Sequence, residues 1–409
     1  MAIQQIARVD TAVPDPKEAR IIIIDPEGTL TIQMYTAAAA DNGERFISGA
    51  GPLTHGRLLA SIKASKKLVL EHSNYFTEEL RKRQLKMSNT KLPEKVTLDI
   101  RSDHVTSVEL WLRAIHPNAM TDEMHDISIT DVWNTLQASR TYEFSLEVLS
   151  EWFKEWIGRL GGDHCSKFTV RELSQLLLPC RFFENHQAFA HVTMRYAYEK
   201  AGHCDENNPT PYHKLHLPPG IIAGINNART NMKTKIHQAL YPPIRGFLSG
   251  SCSCKKDGMF AYQMALDRSG AWPLEEKLHG IDAISIHDLL GNLATFKFEA
   301  PNEDCELCSR DYKESTVDPC VQGVLDNFEG LCLNCIDYPN DKNLHPDFLP
   351  FAGGGKVFDK DCHIAHRQPT WWFSWLASRE RRRDAPRTNQ PRNQPRQRLG
   401  YQQNRMLGS

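Results

Sequence analysis

Residues 21–35 read IIIIDPEGTLTIQMY, and the way this stretch divides decides the fold. Ile21 to Asp25 is an apolar run of strand length, Pro26-Glu27-Gly28 is a turn former, and Thr29 to Tyr35 follows as a second strand. In the second strand Leu30, Ile32 and Met34 alternate with Thr29, Thr31 and Gln33, a period of two that gives one buried and one wet face. The stretch is thus read as an opening hairpin. Before it, residues 1–18 form a polar, proline-containing arm; after it, residues 36 to about 57 form a loop rich in Ala and Gly.

The pattern continues outward from the hairpin. SKKLVLEHSNYFTEELRKRQL, from Ser65, places Leu68, Tyr75-Phe76 and Leu80 on one side of a broken helix, and KVTLDI at 95–100 is a short strand. From His104 to His116, Val105, Val108, Leu112 and Ile115 recur at helical spacing until Pro117 stops them. Asp131 is placed as the N-cap of VWNTLQASRTYEF, and LEVLSEWFKEWIGRL runs to Gly161-Gly162. Thr169 and Glu172 have capping-box spacing ahead of Leu173, Leu176 and Leu177. QAFAHVTMRYAYEK and the run Ile222, Ile225, Met232, Ile236 and Leu240 add further helix, and Pro242-Pro243 is read as its end. Beyond about residue 245 the texture becomes short pieces with Gly, Pro and Cys, expected to be irregular.

The order of elements from 20 to 116 resembles a BTB/POZ domain in the divergent form common in fungal proteins. The residues that carry the resemblance are IIIIDPEGTLTIQMY, SKKLVLEHSNYFTEEL, KVTLDI and VELWLRAIHP. Ser73 and the pair Tyr75-Phe76 stand at the family's serine and aromatic pair. DVWNTLQASRTYEFSLEVLSEWFKEWI is similar to the helical segment that closes such domains and leads into a BACK-like extension. The likeness covers about a third of the chain. It implies a fold without catalytic residues that offers a surface for self-association, including a homodimer, or for docking other proteins.

With 409 residues and 40% hydrophobic content, the chain can bury more than one core. The division read from it is an arm at 1–18, a BTB/POZ-like domain at 19–120, a helical BACK-like region at 121–245, a cysteine-rich region at 246–370 and a basic tail at 371–409. The class is α+β. No apolar run approaches the roughly 20 residues that a membrane span requires, and no secretory signal opens the chain. The expectation is a cytoplasmic or nuclear protein, where the eleven cysteines stay reduced and serve as metal ligands or buried thiols rather than disulfides.

Among the cysteines, Cys305/Cys308 and Cys332/Cys335 form two Cys-x-x-Cys knuckles of the kind that hold structural zinc. A second group, drawn from Cys252, Cys254, Cys320, Cys362, His363 and His366, could complete another site, and spacing alone leaves the pairing open. EDCELCSRD is too polar for a core strand, and neither pair has the βαβ setting of a redox motif. Zinc would stabilise a region poor in long apolar elements.

Other motifs are bland. His287-Asp288 is read as a helix start and Gly353-Gly354-Gly355 as a turn, while WWFSWL at 371–376 packs back on the cysteine-rich region or anchors a partner. The tail is basic, with Arg379, Arg381, Arg382 and Arg383 offering phosphate attraction or a nuclear import signal. The expectation is a non-enzymatic interaction scaffold, including the substrate-adaptor role of a cullin ubiquitin ligase. The alternative is a zinc-containing nuclear regulator that contacts nucleic acid through the tail or the cysteine-rich region.

Overall fold

The computed structural model describes residues 19–36, 56–86, 93–102 and 104–337. The expected arm at 1–18 and the basic tail lie outside them.

Among the described residues four strands form one sheet: β1 (Arg20–Ile23), β2 (Leu30–Tyr35), β3 (Leu58–Ala64) and β4 (Val96–Arg101), in the order β1-β3-β2-β4. The expected hairpin does not form, because β3 lies between its two arms. β1 runs parallel to β3, β2 antiparallel to β3, and β4 parallel to β2. The Pro26-Glu27-Gly28 turn straddles the end of β3 instead: the amides of Ile24 and Asp25 both donate to Lys63 O, at 3.0 and 3.3 Å. Gly28 is required there, since a Cβ would stand 2.4 Å from Ala64 O. LLASIKA, the sequence of β3, alternates as regularly as β2 and competes successfully for its edge.

Register explains the pleat. Ile22, Ile62, Ile32 and Leu98 line up as one buried row across the four strands. The rows on the opposite face read Ile21–Ser61–Gln33–Asp99 and Ile23–Lys63–Thr31–Thr97. These two rows are polar except at the β1 edge.

Helices follow on the buried side: α1 (Lys66–His72), α2 (Asn74–Lys86) and α3 (Val105–Ile115). Ser73 separates α1 from α2 in extended backbone; its hydroxyl donates to Tyr142 O at 2.5 Å and accepts from Phe76 N at 3.3 Å. The neighbouring aromatic rings pack together, Phe76 on Tyr142 and Trp111 on Phe144. Glu109 on α3 is buried and receives Arg113 at 2.7 Å and Arg20 of β1 at 3.4 Å.

α4 (Ile129–Tyr142) starts one turn earlier than expected. Ser128 is its N-cap, and Asp131 is the third residue of a reciprocal capping box, returning a bond to Ser128 N at 3.2 Å. α5 (Ser150–Gly161) starts later than the run from Leu146, whose first four residues form a separate 3-10 turn, while α6 (Val170–Phe182) with its Thr169/Glu172 box, α7 (His186–Glu199) and α8 (Pro219–Leu240) follow as read. α8 buries Ile221, Ile225, Met232, Ile236 and Leu240, so Ile221 rather than Ile222 heads its apolar stripe.

The expectation of irregular structure after residue 245 is overturned. Pro242-Pro243 opens α9 (Pro242–Ser249), because a proline in the first turn has no helical bond to lose. α10 (Lys255–Arg268), α11 (Leu274–His279), α12 (Ile286–Ala294), α13 (Asp318–Leu325) and α14 (Leu333–Asp337) come next. His287 and Asp288 do start a helix, α12, where Asp288 N donates to the Ser285 cap at 2.9 Å. These short helices share the core of the preceding ones: α12 packs on α7 and α13 on α8, and Tyr198 donates to Val324 O at 2.8 Å.

Candidate metal centre

Four thiols meet where α10 begins. Cys252 and Cys254 lie in the bend between α9 and α10, with Cys254 at the N-cap, and Cys305 and Cys308 lie on a tight turn after α12. All four sulfurs stand within 4.8 Å of one another, and Cys308 Sγ is 3.4 Å from Cys254 Sγ. A tetrahedral ion with sulfurs at about 2.3 Å would hold them about 3.8 Å apart, so the donors need only small shifts, the Cys254–Cys308 pair outward. The group could hold a metal ion.

The surrounding chain explains how two distant segments are brought together. Cys305 N donates to Asn302 O and Ser309 N to Cys305 O, closing the knuckle. The Asn302 amide donates to Cys254 Sγ at 3.8 Å, and the Cys308 thiol reaches Cys254 O at 3.6 Å. Cys308 is buried against Gly258 of α10, where a Cβ would come within 2.9 Å of its sulfur and 2.6 Å of Phe247. Beneath, Phe247, Tyr262, Phe296, Phe298 and Tyr312 form an aromatic cluster, and Tyr312 donates to Leu307 O at 2.8 Å. The thiols are not equivalent. The backbone N–H of Cys308 draws the Cys305 thiol down to about 7, while desolvation raises Cys308.

The knuckle partner differs from the one read first. Cys305/Cys308 meets Cys252/Cys254, the pair assigned to a second group, and Cys332 is not in the cluster. Cys332 is fully buried between Leu331 and Leu333, and Leu331 N donates to Thr193 of α7 at 2.8 Å. The Cys335 side chain, together with Cys362, His363 and His366, lies outside the described residues. Cys320 is buried on α13, near Tyr262 and away from the cluster, and burial pushes its thiol up to about 11. The Trp-rich segment at 371–376 and Arg379, Arg381, Arg382 and Arg383 also lie outside the described residues.

No helix among the described residues is long and apolar enough to cross a membrane. Compared with known families, curated proteins and solved structures, the chain matches no family model, no curated protein and no solved structure.

Proposed function

We propose that the chain is a non-enzymatic scaffold that binds other proteins through its BTB/POZ-like N-terminal sheet, and that its four-thiol centre holds structural zinc. The observation that supports docking is the β1 edge. Ile21 is 81% and Ile23 58% exposed at the sheet edge, each ending an otherwise polar row, and β1 is the last strand in the order. An edge strand presents unpaired N–H and C=O groups, which invite another strand unless charge or cover prevents it. Here the two β1 side chains on the solvent face are apolar, and the strand's one exposed charge, Arg20, is tied to Glu109. A strand added beside β1 would gain both a hydrogen-bond ladder and two apolar contacts.

Zinc fits the donor set because four thiolates select a soft or borderline ion, and a closed tetrahedral site leaves no position for substrate. The centre is then a clamp and the interaction surface lies elsewhere. A substrate adaptor of a cullin ubiquitin ligase is one form that such a scaffold takes.

Affinity capture with the full chain tests the docking. Wild type should retain specific protein partners, or a second copy of itself, at moderate salt, and Ile21→Lys/Ile23→Lys should lose them while keeping its thermal midpoint. Equal capture by both would overturn the reading. Metal analysis of freshly purified, reduced protein should find at least one equivalent of zinc, and Cys305→Ser should remove it.

A further inference from the structure

A pair of imidazoles elsewhere in the fold makes a second place for a metal, independent of the scaffold reading and of the thiol centre. His191 lies in the middle of α7, and His164 on the single helical turn at Asp163–Cys165 that follows α5. His164 Nδ1 and His191 Nε2 are 2.9 Å apart, with ring centroids at 4.4 Å and planes at 84°. Two nitrogens each about 2.1 Å from one ion stand about 3 Å apart when they subtend a right angle at it. The observed separation is that of a chelate. The His164 ring is exposed and the His191 ring half-buried, so an ion could approach from solvent and complete its shell with water.

The turn that carries His164 is held in place. Both His164 and Cys165 have left-handed backbone, with φ of 51° and 60°. Arg195, one helical turn beyond His191, donates to Cys165 O and, at 3.1 Å, to Phe168 O. Glu199 accepts from Arg195 at 2.7 and 2.8 Å and balances its charge near the pair. Burial, with the neighbouring His164 second, lowers His191 to about 4, so the imidazole stays neutral at neutral pH, the form that ligates metals.

We propose that His164 and His191 bind a borderline divalent transition-metal ion as a two-imidazole chelate. The proton now shared between the facing nitrogens moves to the far nitrogen of its own ring. Both lone pairs then serve the ion, and neither ring changes charge. The usual affinity order for such donors places Cu2+ above Ni2+ and Zn2+.

The test uses full-length, zinc-loaded protein labelled with 15N in histidine, and Ni2+ as the probe. Substoichiometric paramagnetic Ni2+ should first broaden two histidine ring signals, those absent from the spectra of His164→Gln and His191→Gln. Calorimetric titration should show at least tenfold weaker Ni2+ binding in each variant and no change in His213→Gln, which alters an exposed histidine elsewhere. Zinc content measured on the same samples should stay constant, which separates this site from the thiol centre. Uniform broadening of all histidines, or unchanged affinity in a folded His164→Gln protein, would overturn the proposal. His164 is exposed, so that variant keeps the test valid even where His191→Gln alters folding.

Discussion

Two helical glycines have opposite expected responses to the same substitution. Gly291 of α12 is exposed and a Cβ would meet nothing within 4 Å, so Gly291→Ala should raise stability by about 0.5–1 kcal/mol through helix propensity. Gly258→Ala gains the same propensity but drives a methyl group into Phe247 and Cys308 Sγ; overpacking of about 1–3 kcal/mol should outweigh it and weaken metal retention. Denaturant titration of the two variants side by side checks the signs. The residue scale is also where the cysteine pairing could have been read. Cys305 and Cys308 sit in the polar EDCELCSRD, whereas Cys332 sits in GLCLNC between two leucines. Flanking polarity separates a thiol carried on a turn from one set in an apolar segment better than the two-residue gap does, and it leaves the half-buried C-S-C at 252–254 as the natural complement. His191 carries a pH signature. Its folded value of about 4 lies below the ordinary 6.5, so the unfolded chain binds more protons between those values, and stability should fall as pH drops from about 6.5 towards 4. His191→Gln should flatten the thermal midpoint over that window.

At the level of elements, β1 is lightly attached. It buries Ile22 alone, pairs on one side among the described residues, and is tied to α3 by the Arg20–Glu109 contact. Its amides should exchange with deuterium well before those of β2, which has neighbours on both sides and buries Leu30, Ile32 and Met34 completely. Glu109→Ala leaves two arginines facing a vacated, largely buried position and should cost about 2 kcal/mol, less than a wholly buried pair because Arg20 is half exposed. Strong periodicity and caps make α3, α5, α6 and α7 legible, and the segment from Ser65 reads as a broken helix, but its pattern does not place the break at Ser73. Pairing was not legible. A turn former between two apolar runs looks the same whether the runs pair with each other or embrace a third, and that third run, LLASIKA, had been passed over. The α4 cap slipped by three residues because both Ser128 and Asp131 are cap formers, and a capping box uses both.

For the molecule as a whole, the local signal is weakest after residue 245. α11, of six residues, is too short to show a sustained stripe, and α10, although as long as α7, has Gly258 and Ala265 among its four buried positions, so both read as irregular chain. They become helices because α7 and α8 give them a core to complete, and no local signal reports that. Chelation should therefore lower the thermal midpoint of the full chain and deprotect residues 242–312 first, leaving α4 to α7 protected in hydrogen exchange. The thiol centre has one more consequence. Cys254 and Cys305 bracket α10, α11 and α12, so the ion would fasten both ends of a long excursion, near whose midpoint in sequence Ile281 is fully exposed. A protease that nicks the backbone beside Ile281 should then produce two pieces that the α7–α12 and α8–α13 contacts keep together, and that part at a lower denaturant concentration once the ion is withdrawn, making the cut chain a visible reporter of occupancy.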